Sequence, residues 1–150
     1  MYEVLLFLHV LSVIVGLGPT FALPGLMKLR GNAPSPAVLQ TEYVISRYAS
    51  IGVGLVLLTG IGLVSESPAV YINGFDDARW LHIAITLFIV YAGLGTGFAG
   101  PRMRKAVKAA QSGNGVEVKR LLDPLDKVVG PVLGLLLAAI LYLMLIKPDF

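Results

Sequence analysis

The two histidines of this chain, His9 and His82, are the residues whose chemistry is most specific. Each lies in a long apolar stretch without Asp, Glu, Lys or Arg, at 4–27 for the first and at 81–100 for the second. A ring nitrogen inside lipid needs a polar partner, so each imidazole should face protein, water or a cofactor. Imidazole is also the usual protein ligand of b-type haem, and two imidazoles could supply both axial ligands of one iron.

Small residues share a helical face with each histidine. On an ideal helix, Thr86, Gly93 and Gly97 fall within about 60° of His82. Ser12, Gly16 and Thr20 fall within about 80° of His9. Such faces could leave room for a flat ring, or they could allow two helices to pack closely. In the first case Ser12, or a backbone carbonyl, and Thr86 are the expected hydrogen-bond acceptors for the two imidazoles.

Arg79 and Trp80 precede the second histidine, where they could bind the propionates of a haem. A surface ion pair between Arg79 and Asp76 or Asp77 is the alternative.

The elements that must position these residues are membrane helices. Of the 150 residues, 56% are hydrophobic and 14% are charged, and the mean hydropathy is +0.80. A soluble domain has about a quarter charged residues. The absence of cysteine excludes disulfides, thiolate ligation of haem and CxxCH haem attachment. We therefore predict a single all-α domain, a polytopic four-helix bundle with spans at 4–27, 48–65, 80–100 and 128–146.

Local signals set the expected helix ends. Ser35-Pro36 predicts that the second helix begins at the surface near Pro36. The third helix is expected to continue as a basic stretch to Gln111. Asp123-Pro124 predicts the start of the last helix.

Lysine and arginine placement predicts the orientation in a bacterial cytoplasmic (inner) membrane. All of them except Arg79 and Lys147 fall at the first and third loops, which should be cytoplasmic, with both termini outside. These loops also account for the pI of about 9.3 without nucleic acid. Segments one and three then run in the same direction, and the depths of His9 and His82 differ by roughly 4 to 5 Å.

Short motifs at both histidines resemble those of a known superfamily. Leu8-His9-Val10 and Leu23-Pro24-Gly25-Leu26 are similar to the LH and LPRL motifs of HemJ-type protoporphyrinogen oxidases, and Trp80-Leu81-His82 resembles their WLHxKL motif. The four helices and Pro101-Arg102-Met103-Arg104 resemble an uncharacterised bacterial four-helix integral membrane family of the copper-resistance-D-like superfamily. The resemblance implies haem or porphyrin binding through His9 and, where the second motif holds, His82. The lysine, arginine and tryptophan of the HemJ-type pattern fall at Ala84, Gly25 and Gly16.

The sequence therefore predicts a membrane protein that binds haem b or a related porphyrin between helices one and three, for electron transfer or redox sensing. The alternatives are a tetrapyrrole-oxidising enzyme of the HemJ type and a structural, small-molecule or metal-handling bundle without haem. The expected site consists of His9 and His82 as iron ligands, with Gly16, Thr86, Gly93, Gly97, Arg79 and Trp80 around the ring.

The expected partners are the lipid bilayer, a redox partner that the sequence does not identify, and a second copy of the chain. The homodimer is predicted from two glycine faces that a haem pocket does not use, Gly52 with Gly60 and Gly130 with Gly134.

Overall fold

Four long helices make up the computed structural model, which describes residues 1–31, 34–67 and 78–147. They are α1 (Tyr2–Arg30), α2 (Pro36–Ser65), α3 (Arg79–Gln111) and α4 (Gly115–Ile146). The described residues contain no strand. Each helix is long and apolar enough to cross a membrane, which confirms the all-α class and the four predicted membrane helices. The direction of insertion stays a prediction, and the loop 68–77, with Asp76 and Asp77, lies outside the described residues.

Two of the three expected helix ends agree with the structure. Helix α2 begins at Pro36, where the Ser35 hydroxyl accepts a hydrogen bond from the Val38 amide at 3.4 Å. Helix α3 continues to Gln111, and Gly113 then takes a left-handed conformation with φ of 74° that favours glycine.

The predicted start of the last helix is wrong. Helix α4 begins at Gly115, where the Asn114 side chain accepts a hydrogen bond from the Glu117 amide at 3.1 Å. Asp123 lies inside the helix, and its carboxylate accepts a hydrogen bond from the Lys127 ammonium at 2.9 Å. The cap at Asn114 succeeds because the turns that follow it are amphipathic and bury Val118 and Leu122 in the core.

Both α3 and α4 contain a π-helical segment immediately before a Gly-Pro pair. These segments are Gly93–Ala99, before Gly100-Pro101, and Leu125–Val129, before Gly130-Pro131. In each case the glycine amide bonds the carbonyl five residues earlier, Gly95 for Gly100 and Leu125 for Gly130. Proline has no amide hydrogen to continue the α-helical pattern, and widening of the turn accommodates its ring.

The helices pack mainly as two pairs, α1 with α2 and α3 with α4. The basic second half of α3 also packs against α2 and against the first turns of α4. The buried core includes Leu39, Ala106 and Leu137, none of which has exposed surface. Large apolar side chains such as Phe7, Leu58 and Leu145 remain on the outside of the bundle, as expected for helices that face lipid.

Candidate haem-ligand site and buried polar cavity

His9 is held by α2. Its Nδ1 lies 2.9 Å from Thr59 Oγ1, and the Thr59 hydroxyl donates its own hydrogen to the Leu55 carbonyl at 2.7 Å. Because that hydrogen is used, Thr59 accepts from His9, and the proton of the neutral imidazole is on Nδ1. Nε2 is therefore the nitrogen with a lone pair for a metal. The expected acceptor Ser12 instead donates to the Leu8 carbonyl at 2.7 Å.

His82 is oriented by its own helix. Its Nδ1 lies 3.1 Å from the carbonyl oxygen of Ala78. A carbonyl can only accept, so Nδ1 of this ring carries a proton. The expected acceptor Thr86 is not the partner of Nδ1, and its hydroxyl donates to the backbone carbonyl of His82 at 2.9 Å. The Ala78 carbonyl is thus the hydrogen-bond acceptor for His82 that the sequence analysis expected at Thr86.

A hydrogen bond between α1 and α3 fixes the relative level of the two histidines. The hydroxyls of Thr20 and Tyr91 lie 2.7 Å apart. At about 1.5 Å per residue, His9 lies about 16 Å and His82 about 14 Å from this bond along their helices. The two helices run in the same direction, so the two imidazoles lie at similar levels in the bundle.

The glycines expected around a ring have different neighbours. A Cβ at Gly16 would lie 2.5 Å from the carbonyl carbon of Gly52, so this position is where α1 and α2 approach most closely. The expectation that Gly16 leaves room for a ring is wrong, because the backbone of α2 fills that space. A Cβ at Gly93 or Gly97 would meet no heavy atom of the described chain within 4 Å. The face of α3 that carries these two glycines is open.

Most of the glycines that were expected to contact a second subunit pack against helices of the same chain. Gly52 packs against Gly16, and Gly60 packs against the His9 ring, where a Cβ would lie 3.3 Å from Cε1. A Cβ at Gly130 would lie 3.4 Å from Met27 Cε. The homodimer stays a prediction, but these three glycines no longer support it.

Arg79 and Trp80 lie at the first turn of α3. Arg79 is exposed, and Trp80 is partly buried. The Lys147 ammonium lies 5.6 Å from the centroid of the Trp80 ring, within the range of a cation–π interaction. Lys147 is therefore a second cation, besides Arg79, near this end of α3. Binding of haem propionates by Arg79 and Trp80 stays a prediction.

A second polar region, which the sequence reasoning missed, lies between the four helices. It is a cavity of about 90 Å³ whose lining is mainly apolar but includes the polar residues Glu42, Ser46 and Ser50 of α2. Thr20, Tyr91 and Thr96 contribute further hydroxyl groups to it. The signal was present in the sequence, because polar residues recur at every fourth position from 42 to 50, on one face of a helix.

Glu42 also belongs to a buried ionic network that joins three helices. Arg30 donates from Nη1 to Glu42 Oε2 at 2.8 Å and from Nη2 to Asp126 Oδ2. The Arg30 and Glu42 side chains are only 3% and 2% exposed, and Asp126 is 33% exposed. The second oxygens, Glu42 Oε1 and Asp126 Oδ1, have no hydrogen-bond partner among the described residues.

The four long apolar helices make this chain a helical membrane protein. No protein-family model, curated protein or solved structure matches it. In the ranges that the structure describes, no three His, Cys, Asp or Glu side chains come together as a metal site.

Proposed function

We propose that this protein binds haem b, or a related porphyrin, between α1 and α3, with His9 and His82 as the axial ligands of the iron. One observation carries the proposal. In both imidazoles Nδ1 lies within hydrogen-bond distance of a group that can accept, the Thr59 hydroxyl for His9 and the Ala78 carbonyl for His82. Histidines that ligate metals commonly have such a hydrogen bond on the other ring nitrogen, because it holds the ring in one orientation.

The residues present fit this group. A porphyrin supplies four nitrogen ligands itself, so the protein needs to provide only two axial ligands and no larger cluster. The levels of His9 and His82, taken from the Thr20–Tyr91 bond, are compatible with one shared ring.

The bound haem would carry one electron between its ferric and ferrous states, which suits electron transfer or redox sensing. The protein's own residues would tune that function. The Thr59 hydroxyl and the Ala78 carbonyl accept from the two imidazoles, which raises the basicity of the ligating nitrogens. The apolar helices around the site would limit access of water.

For the cellular setting we propose a bacterial inner membrane, with both termini outside and the two basic loops in the cytoplasm. The distribution of lysine and arginine supports this orientation. A homodimer remains part of the proposal. Of its four glycines, Gly134 is the one for which a Cβ would meet no described atom within 4 Å.

Two alanine variants test the ligation scheme. We expect His9→Ala and His82→Ala each to convert a low-spin, six-coordinate haem to a high-spin form, or to lose the haem, because each removes one axial ligand. The measurement is the absorption spectrum of the detergent-purified protein after supplementation with haem. Ser12→Ala is the matched control on the His9 face, since among the described residues its hydroxyl bonds the Leu8 carbonyl and no ring nitrogen. If both alanine variants kept the low-spin spectrum of the unmodified chain, the scheme would be wrong.

We also predict that the protein does not oxidise protoporphyrinogen. The lysine of the resembling enzymes falls at Ala84, which is fully buried in the face of α3 that packs into the bundle. The methyl group of Ala84 can neither exchange a proton nor pair with a substrate carboxylate. The measurement is complementation of a bacterial strain that lacks its own oxidase, with that oxidase as the positive control. Growth restored by this chain, and abolished by His9→Ala, would contradict the prediction.

A further inference from the structure

The cavity beside Glu42 has an uncompensated negative charge in its wall. Arg30 contributes one positive charge to the buried network, whereas Glu42 and Asp126 contribute two negative charges. Glu42 is 1% exposed, lines the cavity and has an oxygen, Oε1, without a partner among the described residues. A buried charge of this kind is costly unless a counter-charge or a hydrogen-bond donor reaches it.

The hydroxyl groups of the cavity present acceptor oxygens. Ser50 donates its hydrogen to the Ser46 carbonyl at 2.9 Å, and Thr96 donates to the Ala92 carbonyl at 2.6 Å. A hydroxyl whose hydrogen is committed to its own helix can interact with a ligand only through its oxygen lone pairs. In the Thr20–Tyr91 pair, one of the two hydroxyls likewise uses its hydrogen on the other. The cavity therefore favours an occupant that is positively charged or donates hydrogen bonds.

We propose that this cavity binds a monovalent cation the size of Na⁺, K⁺ or ammonium, with Glu42 as its charged ligand. The occupant would bring the network of Arg30, Glu42 and Asp126 to neutrality. Carboxylate and hydroxyl oxygens are hard ligands, which suit such ions better than soft metals. The volume of about 90 Å³ exceeds the roughly 10–15 Å³ of probe volume that one water molecule needs, which leaves space for one small ion with part of its hydration.

The other groups around Glu42 are compatible with this assignment. Arg30 on α1 donates one hydrogen bond to each of the two carboxylates. Its single positive charge can neutralise only one of their two negative charges. Tyr91 on α3 is held by Thr20. Met27 and Met103 also line the cavity and would suit a soft ion, but hydroxyl and carboxylate groups outnumber them.

A cation titration of the purified full-length chain tests the proposal. The thermal midpoint is followed by circular dichroism at fixed pH while NaCl, KCl or NH₄Cl replaces choline chloride at constant ionic strength. We expect at least one small cation to raise the midpoint saturably, because a ligand that binds only the folded state stabilises it. Glu42→Gln should abolish the response, and Ser50→Ala should weaken the apparent affinity by about tenfold, the effect of losing one ligand contact.

The control for Ser50→Ala is Ser65→Ala on the same helix, because Ser65 is exposed and its hydroxyl also bonds a backbone carbonyl, that of Gly62. This control should leave the cation response unchanged. Ser50→Ala also keeps the test valid if Glu42→Gln fails to fold, since among the described residues the Ser50 hydroxyl bonds a carbonyl of its own helix, that of Ser46, and no other helix.

Three results would overturn the proposal. One is equal midpoints in all four salts, in which case a proton supplies the missing charge. Another is a cation response that survives Ser50→Ala at full affinity. The third is stabilisation by Ag⁺ alone in a parallel titration with nitrate salts, which keep Ag⁺ in solution; this result would make the cavity a soft-metal site. The cation site is independent of the haem proposal. A chain that binds cations but takes up no haem would contradict only the proposal for His9 and His82.

Discussion

Arg30→Met is expected to lower the free energy of unfolding by about 3–5 kcal/mol, the range for removing one partner of a buried ion pair. The side chains of Arg30 and Glu42 are only 3% and 2% exposed. Methionine fills a similar volume, but it leaves the carboxylates of Glu42 and Asp126 without their shared cation. The measurement is unfolding by increasing denaturing detergent, followed by circular dichroism.

The exposed pair of Lys127 and Asp123 gives the matched control. These side chains are 72% and 43% exposed, and Lys127→Met should cost less than about 1 kcal/mol, as exposed ion pairs do. Adding Glu42→Gln to Arg30→Met should recover part of the loss, because it removes one buried charge. Equal effects of Arg30→Met and Lys127→Met would contradict a stabilising network at this position.

Gly52→Val should destabilise the pairing of α1 with α2 by about 3 kcal/mol, at the upper end of the range for overpacking. A Cβ at Gly52 would overlap the Cα of Gly16 and would lie 2.6 Å from its amide nitrogen. Both neighbours are backbone atoms that cannot rotate away, so the two helices must separate. The same unfolding measurement reports the effect.

Gly54→Val is the control for this substitution. Gly54 lies on the same helix, and a Cβ there would meet no described atom within 4 Å. It tests the intrinsic effect of valine in place of glycine without the clash. If Gly52→Val and Gly54→Val had the same effect on stability, the close contact between α1 and α2 would not be needed for folding.

The helices could be predicted from the sequence because the residues that define a helix and its ends are close together in the chain. Apolar length predicts a membrane helix, and Ser35-Pro36 and Ser112-Gly113 mark an actual start and stop. Asp123-Pro124 was misleading because it also resembles a local start signal. The choice between it and Asn114 depends on the core, where Val118 and Leu122 become buried only if the helix begins earlier.

The surroundings of the histidines could be predicted only in part. Helical spacing places His9, Ser12 and Gly16 on one face, but it does not say which helix packs against that face. The structure brings α2 there, so Thr59 bonds His9 and Gly52 meets Gly16. The network of Arg30, Glu42 and Asp126 was missed for the same reason. Its members are distant in sequence and meet only through tertiary packing.

Electron paramagnetic resonance of the oxidised, haem-supplemented protein tests the central proposal most directly, because it reports the spin state and the axial ligands of the iron. The proposal of His9 and His82 on one haem predicts a low-spin ferric spectrum of the bis-imidazole type, with one haem per chain. A purified chain that takes up no haem, or one whose haem is high-spin in the unmodified protein, would contradict it.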